Sequence, residues 1–192
     1  NGGSDKMKYA FSYSHMDDKA IMQMSDFKRD NANLKLSHKP IKNITIDLSA
    51  RFSRTKINGG GANDANSSLN TDKRLKYAVQ YTPFPVPGLS DELNSDNEEP
   101  SSLLINPLTS LIDNDTRKER TTYNLGAGFT WEIIKNLRFK SEFGYDDYRY
   151  NTDRYYGPST YYVRNTPSST NQGKPAVTLT RQSRSTIRNT NT

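Results

Sequence analysis

Polar and apolar positions alternate over long runs of this chain, with the two-residue period of a β-strand. The clearest run is Ile44 to Ser53. Ile44, Ile46, Leu48, Ala50 and Phe52 fall on one face, and Thr45, Asp47, Ser49, Arg51 and Ser53 on the other. Its ten residues are about what a tilted strand needs to cross a membrane. Tyr9, Phe11 and Tyr13 alternate with Lys8, Ala10, Ser12 and Ser14, and Leu34 and Leu36 alternate with Asn33, Lys35 and Ser37. Downstream, Tyr123, Leu125, Ala127, Phe129, Trp131 and Ile133 alternate with Asn124, Gly126, Gly128, Thr130 and Glu132. Leu137, Phe139, Phe143 and Tyr145 alternate with Arg138, Lys140, Glu142 and Asp146, and Ser141 breaks the apolar row. The pattern predicts strands near residues 6–15, 24–38, 43–55, 121–133, 137–150 and, more weakly, 177–192.

The connectors are of two kinds. Lys39 to Asn43, with Pro40, and Ile134 to Asn136 are short and suit tight hairpins. Residues 56–120 and 151–176 are long, irregular and rich in Gly, Pro and Ser, and His15 to Gln23 makes a medium reversal on the same side. Compact soluble domains seldom carry such loops. Short turns on one rim and long loops on the other are the arrangement of outer-membrane barrels. The fold expected is therefore all-β: an antiparallel transmembrane β-barrel segment of about six strands, part of a larger barrel, with the two long loops extracellular. Ile46, Leu48, Phe52, Leu125, Phe129, Phe139 and Phe143 are expected to face lipid. Lys35, Asp47, Arg51, Glu132, Arg138, Lys140 and Glu142 are expected to face the lumen, where water keeps charges solvated. A one-sided soluble sheet is the open alternative, with these charges on its solvent face.

Composition sharpens this. Only 32% of residues are hydrophobic, little for a soluble core in 192 residues, yet 12 Tyr and 7 Phe argue against disorder. No stretch approaches the roughly 18 apolar residues of a membrane helix, and barrel strands need none. The absence of Cys excludes disulfides, thiol nucleophiles and thiolate metal sites. The net charge of +6 is spread along the chain with both signs interleaved. The sequence opens without Met or a signal-like segment, which suggests that residues are missing upstream.

Candidate chemistry is sparse. Tyr155, Tyr156, Tyr161 and Tyr162 cluster in the second long loop and could stack on sugar rings, although an interfacial girdle or loop packing also explains them. Asp91, Glu92, Asp96, Glu98 and Glu99 lack the spacing of a calcium loop and read as a solvated acidic run. His15 and His38 are the two histidines, and neither belongs to a metal or hydrolase motif. Asp146 and Asp147 are adjacent on a strand and point to opposite faces, which is wrong for glycoside hydrolysis. Arg181, Arg184 and Arg188 lack the interleaved aromatics of a nucleic-acid module and read as lumen or rim charges. No enzyme activity, cofactor, metal site or nucleic-acid partner is expected.

Short motifs in succession add a resemblance. Ser25-Asp26-Phe27-Lys28-Arg29, Lys39-Pro40, Phe52-Ser53-Arg54-Thr55-Lys56, Asn106-Pro107-Leu108, Tyr123-Asn124-Leu125, Ile134-Lys135-Asn136-Leu137-Arg138-Phe139-Lys140-Ser141, Phe143-Gly144-Tyr145-Asp146 and Tyr155-Tyr156-Gly157-Pro158 follow one another along the chain. In order and spacing, from about Tyr9 to Pro158, this resembles the barrel of SusC/RagA-type TonB-linked outer-membrane transporters. Asp17-Asp18-Lys19-Ala20-Ile21 stands where the family commonly has a Gly-containing reversal. The resemblance implies import of large nutrients, glycans or peptides, through the cell outer membrane of a Gram-negative bacterium. It also implies a SusD-like surface lipoprotein partner, and TonB acting through a plug region with no counterpart in this sequence. The competing reading is a soluble all-β carbohydrate-binding or surface-binding module, whose apolar faces would meet one another.

Overall fold

The computed structural model describes residues 1–59, 79, 107–158, 160, 163 and 174–192. Seven strands form one antiparallel sheet in sequence order: β1 (Gly2–Gly3), β2 (Met7–Lys19), β3 (Asp26–Ile41), β4 (Ile44–Asn58), β5 (Thr116–Ile134), β6 (Leu137–Tyr156) and β7 (Ala176–Asn191). A short helix, α1 (Pro107–Asp113), precedes β5. The all-β expectation is met. The six expected strands are joined by the two-residue β1, which pairs with Tyr9 and Lys8 at the edge of β2.

The strands run further towards the long-loop end than alternation marks. β4 continues to Asn58, β5 begins at Thr116, and β6 continues to Tyr156. Residues 56–58, 116–120, 151–156 and 176 thus belong to strands, not to the expected loops. The apolar row ends near Phe52 and Tyr123, so nothing in the hydropathy marks these extensions. They are held by the backbone ladder, which pairs Lys56 with Glu119 and Arg117 with Asp153. The first reversal shifts in the same way: β2 runs through His15 to Lys19, and the turn falls at 20–25, with Met24 at φ 58.

The opposite end is tight. Lys42 and Asn43 alone join β3 to β4, so Lys39 and Pro40 lie inside β3, beside an irregularity between His38 and Ile41. Lys135 and Asn136 join β5 to β6, with Asn136 at φ 69 and a register shift between Glu132 and Ile134. A left-handed Asn beside a bulge lets the hairpin follow the twist of its strands.

The sheet is a single layer among the described residues. Among the described residues the buried apolar side chains are Leu111 and Val163, both at the long-loop end. There α1 closes over the strand ends: the Gly157 amide donates to the Asp113 carbonyl at 2.6 Å and the Tyr155 amide to the Asp115 carbonyl at 2.8 Å. A side chain at Gly157 would collide with the Asp113 side chain, so this seat takes only glycine.

Candidate functional site

The continuous register from β2 to β7 assigns every strand residue to one of two faces. One face carries Phe11, Leu34, Ala50, Leu125, Tyr145 and Ile187 in a single cross-strand row. The next row towards the tight turns holds Tyr9, Leu36, Leu48, Ala127, Phe143 and Asn189. Ile46 pairs with Phe129 in the row beyond, and Ile44 with Trp131, which pairs in turn with Phe139. On the other side Tyr13, Ala32, Phe52 and Tyr123 form the last largely apolar row, with the Phe52 and Tyr123 rings 5.2 Å apart. All seven residues expected to meet lipid therefore share this face. None is buried: Ile46, Phe52 and Phe129 are half-buried, and Leu48 is 45% exposed and Leu125 48%.

The apolar belt has a definite height. Ile44 to Phe52 is about 26 Å of strand at ~3.3 Å per residue, and a tilt of about 40° leaves about 20 Å. Aromatic residues bound it, Trp131 and Phe139 below, Tyr13, Phe52 and Tyr123 above. On β7 the belt thins to Ile187, since Ser185, Asn189 and Asn191 occupy the other belt positions.

Above the belt, and at Asp147 in its last row, the same face becomes ionic, and most of its charges pair with one another. Lys28 meets Asp17 at 3.0 Å, His15 meets Asp30 at 2.7 Å, Arg54 meets Glu119 at 2.5 Å, Arg149 meets Asp147 at 2.9 Å, and Arg181 meets Asp153. Hydrogen bonds from His15 and then from Tyr13 hold the Asp30 carboxyl below its ordinary pKa, and the hydrogen bond to Asp17 raises that of Lys28.

The reverse face is polar behind the belt and carries Met16, Phe27 and Ile57 only near its long-loop end. Lys35, Asp47, Arg51, Glu132, Arg138, Lys140 and Glu142 all lie on it, as the alternation predicts. A trough of about 470 Å³ is lined from this face by Lys8, Lys35, Asp47, Ser49, Lys140 and Glu142, with Gly126 and Gly128 in its floor. The trough marks this face as the concave side of the sheet. Ser12, Asn33 and Arg51 are linked in one hydrogen-bonded row, and Ser14, Asn31 and Ser53 in the next. Asn124 donates to Asp146 at 2.6 Å, and Asp146 also takes Arg188.

Two of the tyrosines singled out in the sequence, Tyr155 and Tyr156, fall among the described residues. Tyr155 and Tyr156 end β6, paired with Val177 and Ala176, and as successive strand residues they point to opposite faces. Tyr156 lies under the Arg154 guanidinium, 4.5 Å from its ring centroid. Tyr161 and Tyr162 lie outside the described residues, as does the acidic run 91–99. Another aromatic pair is assembled on β6. Tyr148 and Tyr150, two apart on β6, share the concave face, and the Arg120 guanidinium lies 5.8 and 5.7 Å from their ring centroids. Both have the strand parity of Glu142, which is the signal that would have found them. Neither protein-family models nor curated proteins match this chain.

Proposed function

We propose that this chain forms part of the wall of a TonB-linked barrel in the cell outer membrane of a Gram-negative bacterium, of the SusC/RagA type. It serves passage of a large glycan or peptide nutrient and performs no chemistry of its own. A SusD-like surface lipoprotein and TonB, reached through a plug, would be its partners.

One observation carries this reading: a bounded apolar belt lies on the convex face, and the concave face directly behind it is polar. Lipid outside and water inside require that division, and a belt of about 20 Å approaches the ~25 Å band of such barrels. A soluble sandwich would bury the belt under a second layer. Among the described residues no such layer covers Leu48 or Leu125. The sheet has open edges among the described residues, at β7 and along most of β2, and lipid demands that such edges be paired, so the reading requires further strands to complete the wall.

Trp131 is the chain's one tryptophan and sits at the lower margin of the belt. In bilayers containing brominated acyl chains its fluorescence should be quenched, and unchanged emission would remove the membrane reading. Added to intact cells, trypsin should cut at Lys73 or Lys174 and spare Lys42 and Lys135; the reverse pattern would invert the topology. Uptake of a labelled oligosaccharide or oligopeptide should stop when the inner-membrane proton gradient is dissipated, and persistence would exclude TonB coupling.

A further inference from the structure

The two faces differ in how they treat cations above the level of the trough. On the convex face most basic side chains there take a carboxylate partner. Three consecutive concave rows carry Arg29 and Arg120, then Arg184, then Arg51, and their single carboxylate, Asp146, is already held by Arg188 and Asn124. Arg51 donates to the Asn33 amide oxygen at 3.2 Å and Arg120 lies over the two tyrosine rings; no carboxylate meets any of the four among the described residues. All four are exposed. Like charges gathered on one concave wall reinforce a positive field and gain from an anionic ligand.

Resting on the barrel reading above, which makes the concave face the lumen wall, we infer that these rows form a subsite for an acidic oligosaccharide. Tyr148 and Tyr150 offer flat rings for sugar faces, with a hydroxyl at the tip of each. Arg120, wedged against both, is oriented for a carboxylate or sulfate, which a guanidinium meets with paired donors. Arg29 stands two strands from Arg120, about 10 Å away at the usual strand spacing. Arg184 lies one row lower, beside Tyr148. This spacing seats separate anionic groups of one chain, and the serine and threonine hydroxyls between them suit sugar hydroxyls. A peptide has no such repeat of rings and anions.

The test uses the natural full-length chain in detergent and measures binding of polygalacturonate oligomers, their methyl esters and a sulfated galactan. The acidic sugars should bind and the esters should not, with affinity falling as salt rises. Arg120→Gln and Arg184→Gln should each weaken binding about tenfold, whereas Arg54→Gln, on the convex face, should leave it unchanged. Preference for the sulfated chain over polygalacturonate would assign sulfate as the recognised group, and the opposite preference carboxylate. Equal binding of acid and ester, no binding of either acidic sugar, or equal loss with Arg54→Gln would overturn the subsite. Trp131 quenching in brominated lipid, measured on the same preparations, tells a failed subsite from a failed barrel.

Discussion

Leu48, Ala127 and Phe143 stand side by side on the convex face; in the adjacent row behind them, Ser49, Gly126 and Gly144 stand side by side on the concave one. The strands and the backbone ladder are the same. Bulk and apolarity lie outside, small and polar residues inside. A soluble sheet also separates its faces, but it hides the apolar one. Here that face stays open over a limited height and gives way to ion pairs just where the aromatic residues end. The contrast teaches that the sheet distinguishes three surroundings: one for Leu48, one for Arg54 above it, and one for Arg51 behind.

The comparison is broken most directly by exchanging sides. Leu48→Arg should cost roughly 2–4 kcal/mol in folding titrations into bilayers, as cations near the midplane of a lipid face do, and Ser49→Arg close to nothing. Equal costs would erase the distinction between the faces.

The thin belt on β7 gives the next test. Asn189 shares a row with Leu48 and Phe143, so Asn189→Leu should stabilise the inserted protein by about 1–2 kcal/mol if lipid covers that position. Its neighbour Arg188 lies on the concave face, and Arg188→Leu should destabilise, because Asp146 then loses its cation. A destabilising Asn189→Leu would mean that something polar, not lipid, lies against β7.

Smaller again is the ionic zone. Arg54 and Glu119 are 43% and 36% exposed, so Arg54→Gln should cost no more than about 0.5 kcal/mol, less in high salt. A salt-independent loss of several times that size would place the pair in a dry environment and raise the belt's upper limit.

Acid provides the finest probe. The Asp30 carboxyl is held below its ordinary pKa, so its contribution is present above the unfolded value and fades as pH falls through the folded one. Asp30→Asn should therefore lower stability slightly at neutral pH and not at all in strong acid. A difference that grows on acidification would contradict the sign.

Much of this was legible in the chain. Side-chain parity along a strand is a local property, so the memberships of Leu48 and Asp47, or Phe129 and Glu142, followed from alternation alone. So did the tight hairpin at Asn136, where a residue tolerant of left-handed φ ends one run before the next begins. The candidate site was not. Tyr155 and Tyr156 look like a cluster because they are adjacent, and in an extended strand adjacency separates side chains. Tyr148, Tyr150 and Arg120 look scattered, and pairing of β5 with β6 brings them together.

Sequence by itself determined the period, the two faces and the contrast between short and long connectors, because each depends on neighbours a few residues away. Only the tertiary structure decided the strand extensions past Thr55 and Tyr150, the concavity of the polar face, and the ion pairing of most upper convex cations beside four concave arginines, Arg29, Arg51, Arg120 and Arg184, that meet no carboxylate among the described residues. Those depend on register, and register joins residues such as Arg54 and Glu119, 65 positions apart, that no local pattern connects.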